Sequence, residues 1–597
     1  MSKAQVFAGA TPVSVGGDGI GGTILLESAP PAFASEGAPT LVTGALSTYY
    51  RSVSGAVGAS GTATIASSAL SLRYDGGGSR ANNYKSGGDG PTVRSTEYAT
   101  QNHAVTFAAR DDRDLLTIEA GGQVMPYQGF PNLPMDLTDN RGVFVNGHYT
   151  GGFDWGTVEA RAYWRRTLHE MNFLQDKGGS ANGGMPMNTD ATDAGYSLKA
   201  TIPLSETDTV RVGTELHHYA LDDWWPAVPG NAMMGPLTFV NINDGRRDRL
   251  SNFAEWESKW TPAWSTVLGV RNDVVWSGVG EVQPYSWEDG MGMGMGMMAM
   301  ANPDADAARA FNGRDRDRTD VNVDATALIR FKASETNSYE LGYARKTRSP
   351  NLYERFAWGT GGMSSAMIGW FGDANGYVGD PDLKPETAHT GSVTASWHDA
   401  AHSAWEVRVT PYYSYVEDYI DVDRLANLPG GFTQLRFANH DAVLYGANLS
   451  ARAIVADDPV LGRFGVSGSV GWVRGRNQDS GDALYHMAPL NAALGLNHTL
   501  GSWFSAVELR LSVEKDRVSS IRGEPTTPGF GLLDLRTGYQ WENVRLDFGI
   551  ENLFDQRNYQ PLGGVGYADY LAAGGASPIG PLPGPGRSFN AGLTVKF

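Results

Sequence analysis

The strongest constraint on this chain is a period of two that recurs to its last residue. In 588–597, "SFNAGLTVKF", Phe589, Ala591, Leu593, Val595 and Phe597 share one face. Ser588, Asn590, Gly592, Thr594 and Lys596 share the other. "NVRLDFGIENLF" repeats the pattern, with Val544, Leu546, Phe548 and Ile550 opposing Arg545, Asp547, Gly549 and Glu551. "WEVRVTPYYSYVEDYI" begins the same alternation at Trp405. Successive side chains of an extended strand point to opposite sides, so each segment presents one apolar and one polar face. No apolar run approaches the ~20 residues of a membrane helix, and mean hydropathy is −0.30. A transmembrane β-barrel conceals its hydrophobicity in this way, with alternate residues on lipid and on a polar lumen.

The connections sharpen the reading. Short breaks such as "RDDRD" (110–114), "DWG" (154–156), "SETD" (205–208), "TPAW" (261–264) and "SET" (334–336) alternate with long ones near 131–141, 175–194, 226–249, 284–318, 351–386 and 421–440. Outer-membrane barrels have short periplasmic turns and long extracellular loops, and the spacing here gives about 22 antiparallel strands. The expected fold class is therefore all-β, one closed barrel whose last strand pairs with its first. A propeller or a stack of sandwiches would show repeat signatures or evenly short loops, and neither is seen.

The formal charge of −18 disfavours nucleic acid, which needs a basic face. Without cysteine the chain offers no disulfide, thiolate metal site or thiol nucleophile. No Ser/His/Asp constellation or phosphate-cradling loop stands out, so an enzyme is not expected. "GGDGIGG" lacks the αβ setting of a nucleotide loop. The first residues, "MSKAQVFAGATPVSV", show no charged region followed by an apolar one, hence no visible signal peptide.

Three stretches resemble the TonB-dependent outer-membrane receptors. "PVSVGGDGIGGTILLESAPP" (12–31) is similar to the end of their plug domain. "ARKTRSPNLYERF" with "GDPDLKPETAHTG" (344–356, 379–391) resembles their mid-barrel signature. "FGIENLFDQRNYQPL" (548–562), ahead of "GRSFNAGLTVKF", resembles their closing hairpin. The resemblance implies a 22-stranded barrel in Gram-negative outer-membrane lipid, working as a monomer and importing scarce ligands with energy from a TonB complex. Residues 1–37 would be the C-terminal remnant of a plug and 38–597 the barrel. Most of the plug, the TonB-contacting segment and a signal peptide are not seen, so a barrel-rich fragment is expected, with a plugless channel as the alternative.

Seventeen methionines and no cysteine are the other unusual feature, and residues 291–300 read "MGMGMGMMAM". Placed on the barrel, every methionine after Met1 falls on the long-loop side. That distribution suggests an extracellular vestibule rich in thioethers, which are soft ligands that select Cu(I). The sharper candidate lies in "RAYWRRTLHEMNFLQDK" (161–177). Val158, Ala160, Ala162 and Trp164 share the even, lipid-facing side. Glu159, Arg161, Tyr163, Arg165, Thr167, His169 and Met171 share the odd, lumenal side. His169 and Met171 are thus neighbours at the outer end of the lumen, and an imidazole and a thioether at i, i+2 can bind one metal.

"MPYQGFPNLPMDLTDNR" (125–141) and a His-x-Met pair followed by "NFL" resemble the copper-transporting members of the family. There the pair completes a copper site with a Cys-x-x-x-Met plug segment, which is not seen in this chain. The resemblance implies copper as the transported ligand, held by His169 and Met171, and no resident cofactor. The plainer readings are an ordinary lumenal pair and low-complexity drift in the Met–Gly loop. "LHHY" (216–219) puts His217 and His218 on opposite strand faces, "YHM" (485–487) lies near the outer end, and Arg246, Arg247 and Arg249 read as a solvated run. Other functions stay open: a receptor for a ferric siderophore or other metal chelate, a passive channel, and an adhesin or phage receptor.

Overall fold

A computed structural model describes residues 3–7, 9–288, 302–575 and 578–597. The Met–Gly run at 291–300 lies outside them. Twenty-two antiparallel strands close into one barrel, from Leu41–Arg51 to Ser588–Lys596. Closure joins the last strand to the first, with Lys596 opposite Ala45 and Ala591 opposite Tyr50. A three-residue strand, Gly376–Val378, lies outside this count and pairs in parallel with residues 434–436.

The alternation read from the sequence becomes the two faces of the wall. Val42, Leu46, Val143, Val145, Val321, Val323, Leu341 and Tyr343 are exposed on the outside. Charges turn inward and pair: Lys199 Nζ is 2.7 Å from Glu159, and Arg271 meets Glu215 at 2.6 Å and Asp273 at 2.9 Å. Trp155, Trp260, Trp264, Trp503, Trp541 and Phe597 are exposed around the short turns, forming the aromatic girdle of a membrane–water boundary. No helix among the described residues is long and apolar enough to cross a membrane; the strands do so.

Four of the long connections are shorter than the sequence suggests. Strands begin at Asp136, Met187, Phe239 and Thr433, and one runs on to Asn427. Segments such as "DLTDN" and "NTDATD" read as loops because they lack alternation. Above the lipid the outer face no longer has to be apolar, so the pattern fades while backbone pairing continues. Strands of 21 to 26 residues on one side, against 8 and 9 at the closing hairpin, give the barrel a tilted rim. About ten residues suffice to span the bilayer, so the excess forms an extracellular wall.

Ahead of the first barrel strand, Lys3–Phe7 and Thr23–Glu27 form a hairpin, and residues 9–22 between them enter the lumen. They are held by one wall rather than by a core of their own. Val13 is fully buried. Thr326 Oγ1 donates to the Thr11 carbonyl at 2.8 Å, and the Ser14 amide donates to Glu255 at 3.3 Å. Asp18 meets Arg247 at 2.7 Å and accepts from the Ser349 amide at 3.0 Å. On the opposite wall Ser47, Ser60, Thr62, Asp75, Asn102 and Thr594 border a cavity of about 630 Å³.

The inward segment passes Gly269 closely enough that a Cβ there would overlap the Val13 side chain. Gly269→Val should therefore expel the Val13–Val15 turn at a cost of about 1–3 kcal/mol, the range for overpacking. Faster amide exchange over residues 11–18, with the barrel wall unchanged, is the expected result. Unchanged exchange at those amides would show that the turn is not seated there.

At the other end the loops build a second core. Trp225, Phe239 and Trp358 stack at 4.2 and 4.6 Å between ring centres. Around them pack Tyr285, Leu352, Phe356, Tyr377, Leu435 and Phe437, all buried.

Candidate metal site at the extracellular end of the barrel

Three consecutive strands position the candidate pair: Asp136–Phe153, Gly156–Asn172 and Met187–Pro203. Trp164 and Leu168 are exposed on the outer face, which sends His169 and Met171 inward. The pairing register agrees. Met171 lies opposite Leu137 on one side and Met187 on the other, and both neighbours are buried. His169 lies opposite Asn140 and Thr189. On the outer face Arg166 pairs with Asp190 at 2.6 Å, and such a charge pair ends the lipid-facing band. The pair therefore sits above the membrane.

His169 Nδ1 is 3.1 Å from Asn140 Oδ1. Burial holds the imidazole pKa below its ordinary value, so the ring is neutral near pH 7, the form that ligates metal. Met171 is half-buried and packs against the extracellular core, with Met187 directly across. One imidazole and two thioethers thus lie on adjoining strands, and these are donor types that suit Cu(I) over harder ions. Among the described residues no group of three or more His, Cys, Asp or Glu could hold a metal, so a carboxylate-rich site is not on offer there.

Among the described residues the other methionines do not form an open vestibule. Met135, Met187, Met234 and Met367 are buried in the extracellular core, and Met185 and Met363 pack against it. Met487 lies in a loop rather than in a strand and packs with Ala388, Val416, Ala442 and Leu484. Met233 is exposed. Methionine fills irregular gaps because its chain is flexible, and the loops here form such an irregular core. The positions of these described methionines therefore reflect where that core lies, which strand-scale patterning cannot show.

Of the remaining sequence candidates, His217 faces Asp193 at 3.0 Å and His218 faces Asp248 at 2.6 Å, on opposite faces as expected. In "YHM" the His486 ring stacks on Tyr485 at 3.9 Å while Met487 joins the separate apolar cluster, so the three side chains do not converge. Arg246 is exposed beside Asp244 at 2.9 Å. Arg247 and Arg249 correct the reading of a solvated run. They lie on a strand, Arg247 is buried, and they meet Asp18 at 2.7 and 3.5 Å.

Two features were not found from the sequence. Asn140 needs the strand register to be seen beside His169. Lys177 and Asp136 form a fully buried ion pair at 2.6 Å that ties together the ends of the strands carrying the site. Asp136 also accepts from the Phe130 amide at 2.9 Å and the Leu174 amide at 3.2 Å.

Comparison with known proteins agrees with this architecture. The family model described as "TonB dependent receptor-like, beta-barrel" matches residues 65–553. Heme/hemopexin utilization protein C of Haemophilus influenzae (strain 86-028NP) is 29% identical over 249 residues, which is 39% of this chain and 34% of that protein. The matched stretch thus spans about a third of the relative's length. Among solved structures, the copper transporter OprC superposes with a TM-score of 0.80 at 20% identity, covering 100% of this chain and 87% of its own. The FrpB iron transporter from Neisseria meningitidis (F3-3 variant) gives 0.70 at 12% identity, covering 100% and 87%. At these identities the structural likeness establishes the fold alone.

Proposed function

The chain belongs to the TonB-dependent receptor family, a family of outer-membrane β-barrel transporters, and from that premise we propose that its transported ligand is copper. The observation that carries the reading is the inward, same-face placement of His169 and Met171 above the membrane, with Met187 directly opposite Met171. A thioether-rich donor set favours Cu(I). The likeness in fold to a copper transporter supports the reading without assigning the ligand. Uptake would depend on TonB, as the family name states.

A second reading has an observation of its own. The heme/hemopexin relative is the more similar of the compared proteins by sequence, at 29%. It favours uptake of an iron chelate, whose organic shell rather than the bare metal would be recognised.

Titration of the purified protein with Cu(I), and with Ag(I) as a redox-inert surrogate, separates the two. His169→Ala and Met171→Ala should each lower affinity by more than the roughly 10–100-fold typical of losing an outer partner of a ligand. The barrel should stay folded, because neither side chain faces lipid. If the His169→Ala/Met171→Ala protein binds as tightly as the parent, the copper reading falls and the chelate reading takes its place.

A further inference from the structure

A histidine that ligates through one ring nitrogen needs the proton on the other, and something must hold it there. We infer that Asn140 is the positioning residue of this site, accepting a hydrogen bond from His169 Nδ1–H and so presenting a deprotonated Nε2 to a soft metal ion. The inference rests on the copper reading above.

Four observations carry it. Asn140 lies directly opposite His169 in the strand register, so backbone pairing fixes the distance between them. Its side-chain oxygen faces Nδ1 at 3.1 Å. An amide oxygen has no proton to give, so the ring nitrogen must be the donor. Among the described residues the ring makes no other hydrogen bond, which leaves Nε2 available. The Asp136–Lys177 pair clamps the same strand four residues away, beyond the bulge between Leu137 and Asp139. Turning the amide over would reverse the result: Nδ2–H would donate to Nδ1, the proton would move to Nε2, and the ring could not ligate there. The orientation of one amide therefore decides whether His169 can act as a ligand. Orientation of this kind is a recurrent way for proteins to tune a ligating histidine.

The test uses the whole chain, Ag(I) as the probe, and ¹⁵N NMR of the histidine ring. In the parent, the His169 ring should show the Nδ1–H tautomer. Asn140→Leu should lower Ag(I) affinity by roughly 10–100-fold and move the ring toward Nε2–H. Asn140→Asp should restore the tautomer and most of the affinity, since a carboxylate accepts the same bond. Leu keeps nearly the shape of Asn, so a side chain that acted only by packing would lose little affinity on Asn140→Leu and would leave the ring tautomer unchanged. Should Asn140→Leu fail to fold, the tautomer of the parent and the affinity of Asn140→Asp still decide. A parent ring protonated at Nε2 overturns the inference, as does an Asn140→Leu protein with parental affinity beside a His169→Ala protein that has lost it. If His169→Ala itself binds as the parent does, the copper reading has failed first.

Discussion

Lys177→Met is expected to loosen the extracellular end of the barrel by about 3–5 kcal/mol, the usual cost of removing one partner from a buried ion pair. Neither side chain of the Lys177–Asp136 pair is solvent-accessible. The Lys177 ammonium also donates to the Phe130 and Met135 carbonyls at 2.8 and 3.1 Å. Its loss leaves a carboxylate enclosed without a cation and two carbonyls without a donor. Asp136→Asn/Lys177→Met should recover part of the stability, because no uncompensated charge is left and the Asn oxygen can still accept from one of the two amides, Phe130 or Leu174, which bond different carboxylate oxygens in the parent. Hydrogen exchange over 129–137 and 172–178 reads the effect locally. Equal protection in parent and Lys177→Met would show that the pair does not hold these loops. The double variant separates charge from packing: a loss as large as that of the single variant would assign the effect to lost contacts.

The barrel was legible because lipid imposes alternation on every strand that crosses it. The segments at 544–551 and 588–597 carry that pattern from end to end, and the structure pairs them as read. Legibility ended where the lipid ends. Residues 136–140 and 188–193 are strand, yet polar on both faces, and so read as loop. The inward side of His169 and Met171 followed from parity alone, since one end of the strand fixes the other. Their partners did not follow. Asn140 and Met187 are 29 and 16 residues away in sequence, and only the register of three strands brings them opposite. Arg247 and Arg249 show the same limit, for a run of arginines looks solvated until Asp18 is placed in the lumen beside it. The methionines among the described residues misled for a related reason. A second core built from loops has no period, so its fillers resembled an open, ligand-catching surface.

That second core contains one group whose charge it opposes. Asp223 is fully buried beside the Trp225–Phe239–Trp358 stack. It accepts from the Trp225 indole at 2.9 Å and the Asn241 amide at 2.6 Å, with Tyr353 as a further donor. All three are neutral. Burial pushes its carboxyl from the ordinary 3.8 up to about 6, against those hydrogen bonds. Asp222 and Asp244 are exposed alongside, which places this part of the strand above the lipid. Because the folded-state pKa is raised, the folded form binds the proton more tightly than the unfolded form. This contribution to stability is complete below about pH 4 and is lost as pH rises through about 6. At about 1.4 kcal/mol per pH unit, the full difference is about 3 kcal/mol. Protection of amides 222–225 and 239–242, corrected for intrinsic exchange, should therefore fall between about pH 4 and 6.5 and level off above it. In Asp223→Asn the fall should disappear. A parental fall that survives in Asp223→Asn would move the effect to another group. No fall in the parent would mean that the three donors hold the carboxylate as well as they hold the acid. Met171 and Met187 pack on this same core, so the loss of protection should extend to the strand ends that carry the metal site.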